Sequence, residues 1–321
     1  MKKALSITAC TLAAALIFPA FVSPAAAEEG FYNQLSVDEP LVHGNLAVYP
    51  VSLPGGGQKL GDILTLDEAM GTGKFKIAEL EEGAEVNTLQ VQNNTGKNVM
   101  LLAGEIVRGA KQDRIVSYDA VVPPGDRYDV ACFCVEAGRW TEVSDRFSYK
   151  KEMAPGAIRA TAQGNNDQGM VWSEVSKVNA ATGNVNESDA LTASYNDPKF
   201  KEKVAEYEKA FAAMAKDEDV VGVVVWSEGK IKAGDIFANH DLFAKMWPRL
   251  LTSYAMDAAL SAELGVLASP ATIKMRLAEM DSAARETTYE DDAQNRSTLK
   301  AADAAGYELE YDNKTVHLNM Y

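Results

Sequence analysis

Between Leu101 and Trp140 lie eight residues able to do chemistry: Glu105, Arg108, Lys111, Gln112, Arg114, Glu136, Arg139 and Trp140. They stand among apolar runs that read as buried strands. Long charged side chains at the edges of buried strands need partners, because an unpaired buried charge is costly. Arg108, Lys111 and Arg114 surround a turn at Arg108-Gly109, and Arg139-Trp140 ends the last strand of the set. Pairing of neighbouring strands would gather these ends into one basic pocket, with Gln112 inside it. Arginine forks match the oxygens of a carboxylate or phosphate two at a time, and Trp140 would stack on a planar group. Glu105 and Glu136 would then orient the arginines or act as general acid and base. The same residues also suit an internal ion-pair network, Glu105 and Glu136 against Arg114 and Arg139, that fixes strand register. Both readings stand on the residues alone.

Other chemistries fall away. The histidines, His43, His240 and His317, are far apart in the chain, which excludes an HExxH zinc site and leaves each with a structural or surface role. There is no G-x-S-x-G elbow, no phosphate-binding Walker loop and no G-x-G-x-x-G after a strand. Gly71-Thr72-Gly73-Lys74 lacks the upstream glycine and the following Ser or Thr, and reads as a turn. Cys132 and Cys134 share a strand face at a spacing that suits a disulfide poorly, and two thiols make a poor zinc site. Cys132 is expected in the core. Cys134, beside Glu136 and Arg139, is a candidate accessible thiol. No metal is expected, and no cofactor is indicated.

The ends and the composition set the context. Lys2-Lys3, the apolar stretch Ala4–Val22 and the small-residue run Pro24-Ala25-Ala26-Ala27 form an export signal, residues 1–27, with cleavage expected before Glu28. The mature chain is then periplasmic or secreted. No later segment approaches the roughly 20 apolar residues of a membrane helix, so no integral membrane segment is expected. Loss of Lys2 and Lys3 takes the net charge from −15 to −17, which argues against nucleic acid and anionic membrane surfaces as partners. The remaining 294 residues suffice for one large domain or two modest ones held by a core, without disulfides.

The elements that must position these residues come in two sets. Residues 28–150 read as β-rich: Asn45–Leu53, then a run of strands over Lys74–Glu79, Glu85–Gln92, Asn98–Val107, Arg114–Val122 and Tyr128–Glu136, spaced closely enough to favour antiparallel pairing. A short helix over Leu64–Met70 is marked by Thr65 and Glu68 at capping-box spacing. Residues 151–321 read as helix-rich: Ala154–Gly183 with a break at Gln163–Gln168, Pro198 to about Lys216, Asp241–Leu264 with Gly265 as a cap, and Pro270 to about Ala284. Hairpins interrupt them over Asp219–Ala238 and Gly306–Met320. The expected fold is α+β, a mainly antiparallel sheet or sandwich followed by a helix-rich half, in two parts or one continuous domain over 28–321.

The runs GEIVRGAKQDR, VVPPG and CVEAGRW resemble the ARG and rhodanese-phosphatase-superfamily-associated protein family, a bacterial group. Its pattern is matched at Gly104, Gly109, Ala110, Lys111, Gln112, Arg114, Pro124, Gly125, Cys134, Val135, Glu136, Gly138, Arg139 and Trp140. The likeness continues through GVVVWSEGKIKAGDIFANHDLF and LLTSYAMDA, with departures at Asp113 and Ala131-Cys132-Phe133. The family's association with ADP-ribosyl-glycohydrolase genes implies a link to NAD or ADP-ribose metabolism. The expectation is therefore an exported binding or enzymatic module for an anionic, nucleotide-like or ADP-ribose-like ligand. The alternative is a non-enzymatic envelope protein whose charges are structural and whose partner is another envelope protein.

Overall fold

Valine-rich sequence builds the centre of the molecule. Val220–Ser227 (VVGVVVWS) is buried on both faces apart from Trp226, and β-branched residues at such density favour a strand covered on two sides. It turns through Glu228 and Gly229, both at positive φ, and pairs back with Lys230–Phe237. These two strands lie in the middle of a nine-stranded sheet. On one side stand Leu46–Ser52 and its partners Ser36–Val37 and Leu41–His43; on the other follow, in order, Lys314–Met320, Ala305–Tyr311, Gln294–Lys300 and Ala284–Glu290. The sheet thus draws strands from both sides of residue 150. The computed structural model describes residues 31–80, 87–165, 167–184, 186–302 and 304–321; the expected export signal and the expected turn at Glu82-Gly83 lie outside them.

A six-stranded sheet carries most of the charged segment, in the order Phe147–Met153, Glu105–Gly109, Arg114–Val116, Gly125–Cys134, Thr88–Asn93 and Phe75–Glu79. A three-stranded sheet joins Ala120–Val122, Asn98–Leu101 and Ile63–Thr65, the last pair parallel. Antiparallel pairing holds everywhere else, and the fold is α+β. Residues 31–321 cluster as one compact unit.

The long helix His240–Leu260 lies on the inner face of the nine-stranded sheet. Asn239 caps it by accepting the Leu242 N–H at 2.9 Å. Its buried Phe243, Met246, Leu250 and Tyr254 share the main core with Ile106, Ile115, Phe133, Ile158, Val223 and Leu309. On the outer face, Pro270–Asp281 packs Ile273, Leu277 and Met280, one helical stripe, against Val221, Ile236 and Leu318. A third core, with Leu66, Ile77, Val107 and Cys132, lies beneath the six-stranded sheet. The helix Leu66–Gly71 starts as its sequence predicts, with Glu68 accepting the Thr65 N–H at 2.8 Å.

Several elements differ from the sequence expectation. The runs expected as Asn98–Val107 and Arg114–Val122 are each broken, at Leu102–Gly104 and at Ser117–Asp119, so that the chain passes from one sheet to another. The long helix closes at Leu260 with Ser261 as its cap, and Gly265 instead crosses the backbone of Gly229 at positive φ. Phe147–Met153 and the hairpin Ala284–Glu290/Gln294–Lys300 are strands that polar composition concealed; the outermost of them is exposed along nearly its whole length.

Candidate functional site

The break at Leu102–Gly104 is where the charged segment is anchored. Gly104 has φ +99°, and a Cβ there would fall 2.5 Å from Cγ of Arg159, so this corner admits only glycine. Its N–H reaches Val116 O at 2.9 Å and its carbonyl accepts from Ala154 N–H at 2.8 Å, tying three segments together. Gly109, at φ +130°, is pressed in the same way against Ser144 and the Arg146 carbonyl.

Each arginine of the segment carries a carboxylate of its own. Arg139 donates to Glu136 from Nε at 2.8 Å, with Nη2 in ion-pair contact at 2.6 Å, and donates to Asp113 at 3.2 Å and to the Ala110 carbonyl at 2.8 Å. Arg114, 1% exposed, pairs with Glu79 at 3.1 Å, donates to Gln112 Oε1 at 3.0 Å and rests on Cys134 Sγ. Arg108 forks onto Glu152, with Nε 2.6 Å from Oε2. The Gln112 amide donates to the Glu136 carbonyl at 2.7 Å. Lys111 stands 3.9 Å from Glu79 and 5.6 Å above the ring of Trp140, which is 59% exposed. Lys111, Gln112, Arg114, Glu136, Arg139 and Trp140 therefore come together, with Arg108 joined to them through Thr192, whose hydroxyl bonds Asp113 at 2.9 Å. They meet around Glu79 and Asp113, two carboxylates the sequence reading did not include.

Burial opposes ionisation of Glu136, yet hydrogen bonds from Arg139, Ser188 and the Asp113 N–H hold its carboxyl below the ordinary range. Asp113 is pushed up by burial, and the nearby Glu136 charge adds to this. Both cysteines are buried, Cys134 included, and burial drives the Cys132 thiol up to about 12 and Cys134 upward as well. They are core residues in which burial disfavours the thiolate.

Glu105 belongs elsewhere. It is fully buried and meets Arg249 of the long helix at 2.7 Å, the Tyr149 hydroxyl at 2.7 Å and the Leu102 N–H at 2.9 Å. Burial pushes its carboxyl up against those three partners. Arg249 also reaches Asp67, and Lys151 meets the other oxygen of Asp67 at 3.1 Å. Burial opposes the Asp67 charge, but Arg249, Thr65 and Lys151 bring its carboxyl down to about 2. A relay of charges thus runs from Glu105 in the core to Lys151 in solvent.

That relay opens into a cleft of about 430 Å³ beside Pro248, with Lys151, Lys245, Arg249, Glu208 and Thr252 on its walls. Pro248 inside a helix removes one backbone hydrogen bond, and Thr252 stitches the next turn by donating to the Pro248 carbonyl at 3.1 Å and to Glu208 at 2.6 Å. Lys151 is a non-glycine residue at φ +62°, at an irregularity in the pairing of its strand with Glu105–Gly109. Its side chain is 69% exposed, that of Lys245 37%. Glu105 and Glu136, expected as an acid–base pair, are engaged in separate networks, and neither lines this cleft.

A second buried network backs the first. Arg159 forks onto Asp235 at 2.6 and 3.1 Å and donates to the Ala103 carbonyl at 3.1 Å. His317 Nδ1 lies 2.6 Å from Asp119, its Nε2 is 3.2 Å from Asp235 without hydrogen-bond alignment, and Tyr254 donates to Asp235. Burial alone would lower the His317 pKa, but Asp119 and Asp235 lift it to about 9; the Asp235 carboxyl, opposed by burial, is held at about 2 by Arg159 and His317. The sequence reading did not single out Arg249, Asp67, Arg159 or Asp235. A charged residue inside an apolar run, as in MWPRLL and AGDIF, is the one signal that pointed to two of them. Among the described residues no group of three His, Cys, Asp or Glu converges as a metal site, and no helix is long and apolar enough to cross a membrane.

The family model of the ARG and Rhodanese-Phosphatase-superfamily-associated Protein domain matches residues 34–321. No curated protein and no solved structure matches the chain.

Proposed function

The chain belongs to the ARG and rhodanese-phosphatase-superfamily-associated protein domain family, and on that premise we propose that it is an exported protein that binds a small anionic ligand, phosphate-bearing or nucleotide-like. We assign recognition to the cleft beside Pro248, and a structural role to the charged segment that marks the family. The observation that carries this is a difference in commitment between two sets of cations. Arg114 and Arg139 sit against internal carboxylates in largely buried surroundings, where exchange of a partner for a ligand leaves a buried charge unpaired. Lys151 and Lys245 make exposed pairs with Asp67 and Glu68, which contribute little and are readily exchanged for a ligand oxyanion. Arg249 also borders this cleft, but it is held by both Glu105 and Asp67 with its side chain 4% exposed, so the exchangeable cations are the two lysines.

The cleft volume of about 430 Å³ is within the range of small-ligand sites and suits a sugar phosphate or one nucleotide moiety. Two carboxylates also line it, Asp67 paired with Arg249 and Lys151, and Glu208 bonded by Thr252; the role proposed is binding. A second reading, attachment to another envelope protein, draws support from the exposed side chains of Trp140 and Val143 on the loop that follows Glu136.

Thermal-shift titration with inorganic pyrophosphate, a sugar phosphate and ADP-ribose separates these readings. A ligand at one hundred times its Kd stabilises by about 2.7 kcal/mol, and the shift should disappear in the Lys151→Ala/Lys245→Ala variant. Absence of any shift across the panel, or an equal shift in the double variant, overturns the assignment of the cleft.

A further inference from the structure

The strand Lys314–Met320 turns one alternating row, His317 and Asn319, continued by Tyr321, toward the inner face of the nine-stranded sheet, while Leu318 and Met320 face the outer core. A polar row in that position is unusual, since the positions beside it hold Phe237 and Leu309. His317 is accounted for by Asp119 and Asp235. Asn319 is not. It is completely buried, pairs along the backbone between Asp235 and Tyr307, and neither its amide nitrogen nor its amide oxygen has a protein partner. The buried hydroxyl of Tyr321 has none either, although its ring lies 5.7 Å from the Arg159 guanidinium and 6.5 Å from the ring of Tyr307. Gln163, one helical turn beyond Arg159 and 4% exposed, has an unpartnered Oε1. The next residue, Gly164, abuts the Tyr307 hydroxyl.

Three side chains from two elements, all bordering Arg159 or Tyr307, thus leave four polar atoms without a protein partner in one region: the Asn319 amide nitrogen as a donor, the Asn319 and Gln163 amide oxygens as acceptors, and the Tyr321 hydroxyl as both. A buried polar group without a hydrogen bond is destabilising, and native proteins hold few of them. Several together beside an ion-pair network indicate a site that another molecule completes. The surrounding charges set its character. Arg159 and His317 face Asp235 and Asp119, so the region is balanced and gives no reason to admit an ion.

We infer that Asn319, Tyr321 and Gln163 form a closed binding site, distinct from the cleft at Pro248, for small neutral molecules that both donate and accept hydrogen bonds: ordered water, or a neutral solute of the same chemistry such as a polyol or amide. Its occupant ties the last strand to the helix Gly156–Gly164 and steadies the Arg159–Asp235 pair, which joins that helix to the adjacent strand Lys230–Phe237.

Substitutions that remove the polar atoms give opposite signs for a filled and an unfilled site. Tyr321→Phe deletes one hydroxyl and preserves shape; Asn319→Leu replaces the amide with an apolar group of similar size. With the site filled, each variant loses real hydrogen bonds, and Tm falls by about 2–4 °C. With the polar atoms unsatisfied, each variant removes a penalty and Tm rises or holds, which overturns the inference. A high-resolution crystal structure of the whole protein provides the independent readout, with density expected at hydrogen-bond distance from the Asn319 amide and the Tyr321 hydroxyl. A dry, featureless region there would equally overturn it. Mass spectrometry of material released on denaturation separates the sources: a stoichiometric organic compound identifies a solute, and none identifies water.

Discussion

Arg139→Ala tests whether the charged segment is architecture. In the folded protein the Arg139 side chain is 18% exposed and its guanidinium compensates Glu136 and Asp113, whose side chains are 8% and 9% exposed. Truncation leaves both carboxylates without that cation and frees the Ala110 and Thr141 carbonyls it capped. Breaking a buried pair by removal of one partner costs roughly 3–5 kcal/mol. Partial exposure lets water re-enter, so about 2–3 kcal/mol is the better figure for this site. At about 2–4 °C per kcal/mol, suited to a domain of this size, Tm should fall by about 4–12 °C. Differential scanning calorimetry without ligand is the direct assay, with Trp140→Ala as a control expected to melt like the parent because that ring is 59% exposed. An Arg139→Ala protein that melts within a degree of the parent, yet loses ligand binding, would refute the structural reading and return Arg139 to the role of ligand contact.

Other consequences follow from the same networks. Glu105→Gln should destabilise by about 3 kcal/mol because Arg249 then lacks its buried counter-charge, and Glu105→Leu combined with Arg249→Met should recover much of the loss in a urea-unfolding double-mutant cycle. Gly104→Ala forces a Cβ against Arg159 at a positive φ and should give little soluble folded protein, judged by far-UV dichroism and gel filtration. The His317 pKa is raised to about 9, so its contribution is fully present below pH 6.5 and is lost as pH rises through 9. The shift corresponds to about 3 kcal/mol, and urea midpoints should fall across that window; a flat profile would contradict the buried His317–Asp119 pair. At the acid end, the Asp235 and Asp67 carboxyls are held at about 2, so their stabilisation is present above pH 3.8 and disappears as pH falls through 2.

Much of the fold was legible because local chemistry and tertiary structure agree. The capping box at Thr65, the Pro198 and Pro270 helix starts and the Glu228-Gly229 and Asp312-Asn313 turns are local signals that packing does not override. The hairpin Ala284–Glu290/Gln294–Lys300 escaped because its edge strand Ala284–Glu290 is exposed on both faces, and its inner strand buries polar Gln294 and Ser297 beside Leu299, so neither shows an apolar alternation. At the charged segment, the residue types were readable and the pairing was not. Arg139 finds Glu136 three residues away, a distance the sequence exposes. Arg249 and Glu105 are 144 residues apart, as are no two groups that spacing alone would match. The ion pairs of these arginines involve Glu79, Asp113 and Glu152, carboxylates whose relevance depends on strand order.

The central claim, that ligand recognition belongs to the cleft and not to the charged segment, is tested most directly by isothermal titration calorimetry. A phosphate-bearing ligand that stabilises the parent protein should bind the Lys151→Ala/Lys245→Ala variant at least tenfold more weakly, while Lys111→Ala and Trp140→Ala bind as the parent does. Unchanged affinity in the cleft variant, with loss of binding in Lys111→Ala or Trp140→Ala, would contradict the account.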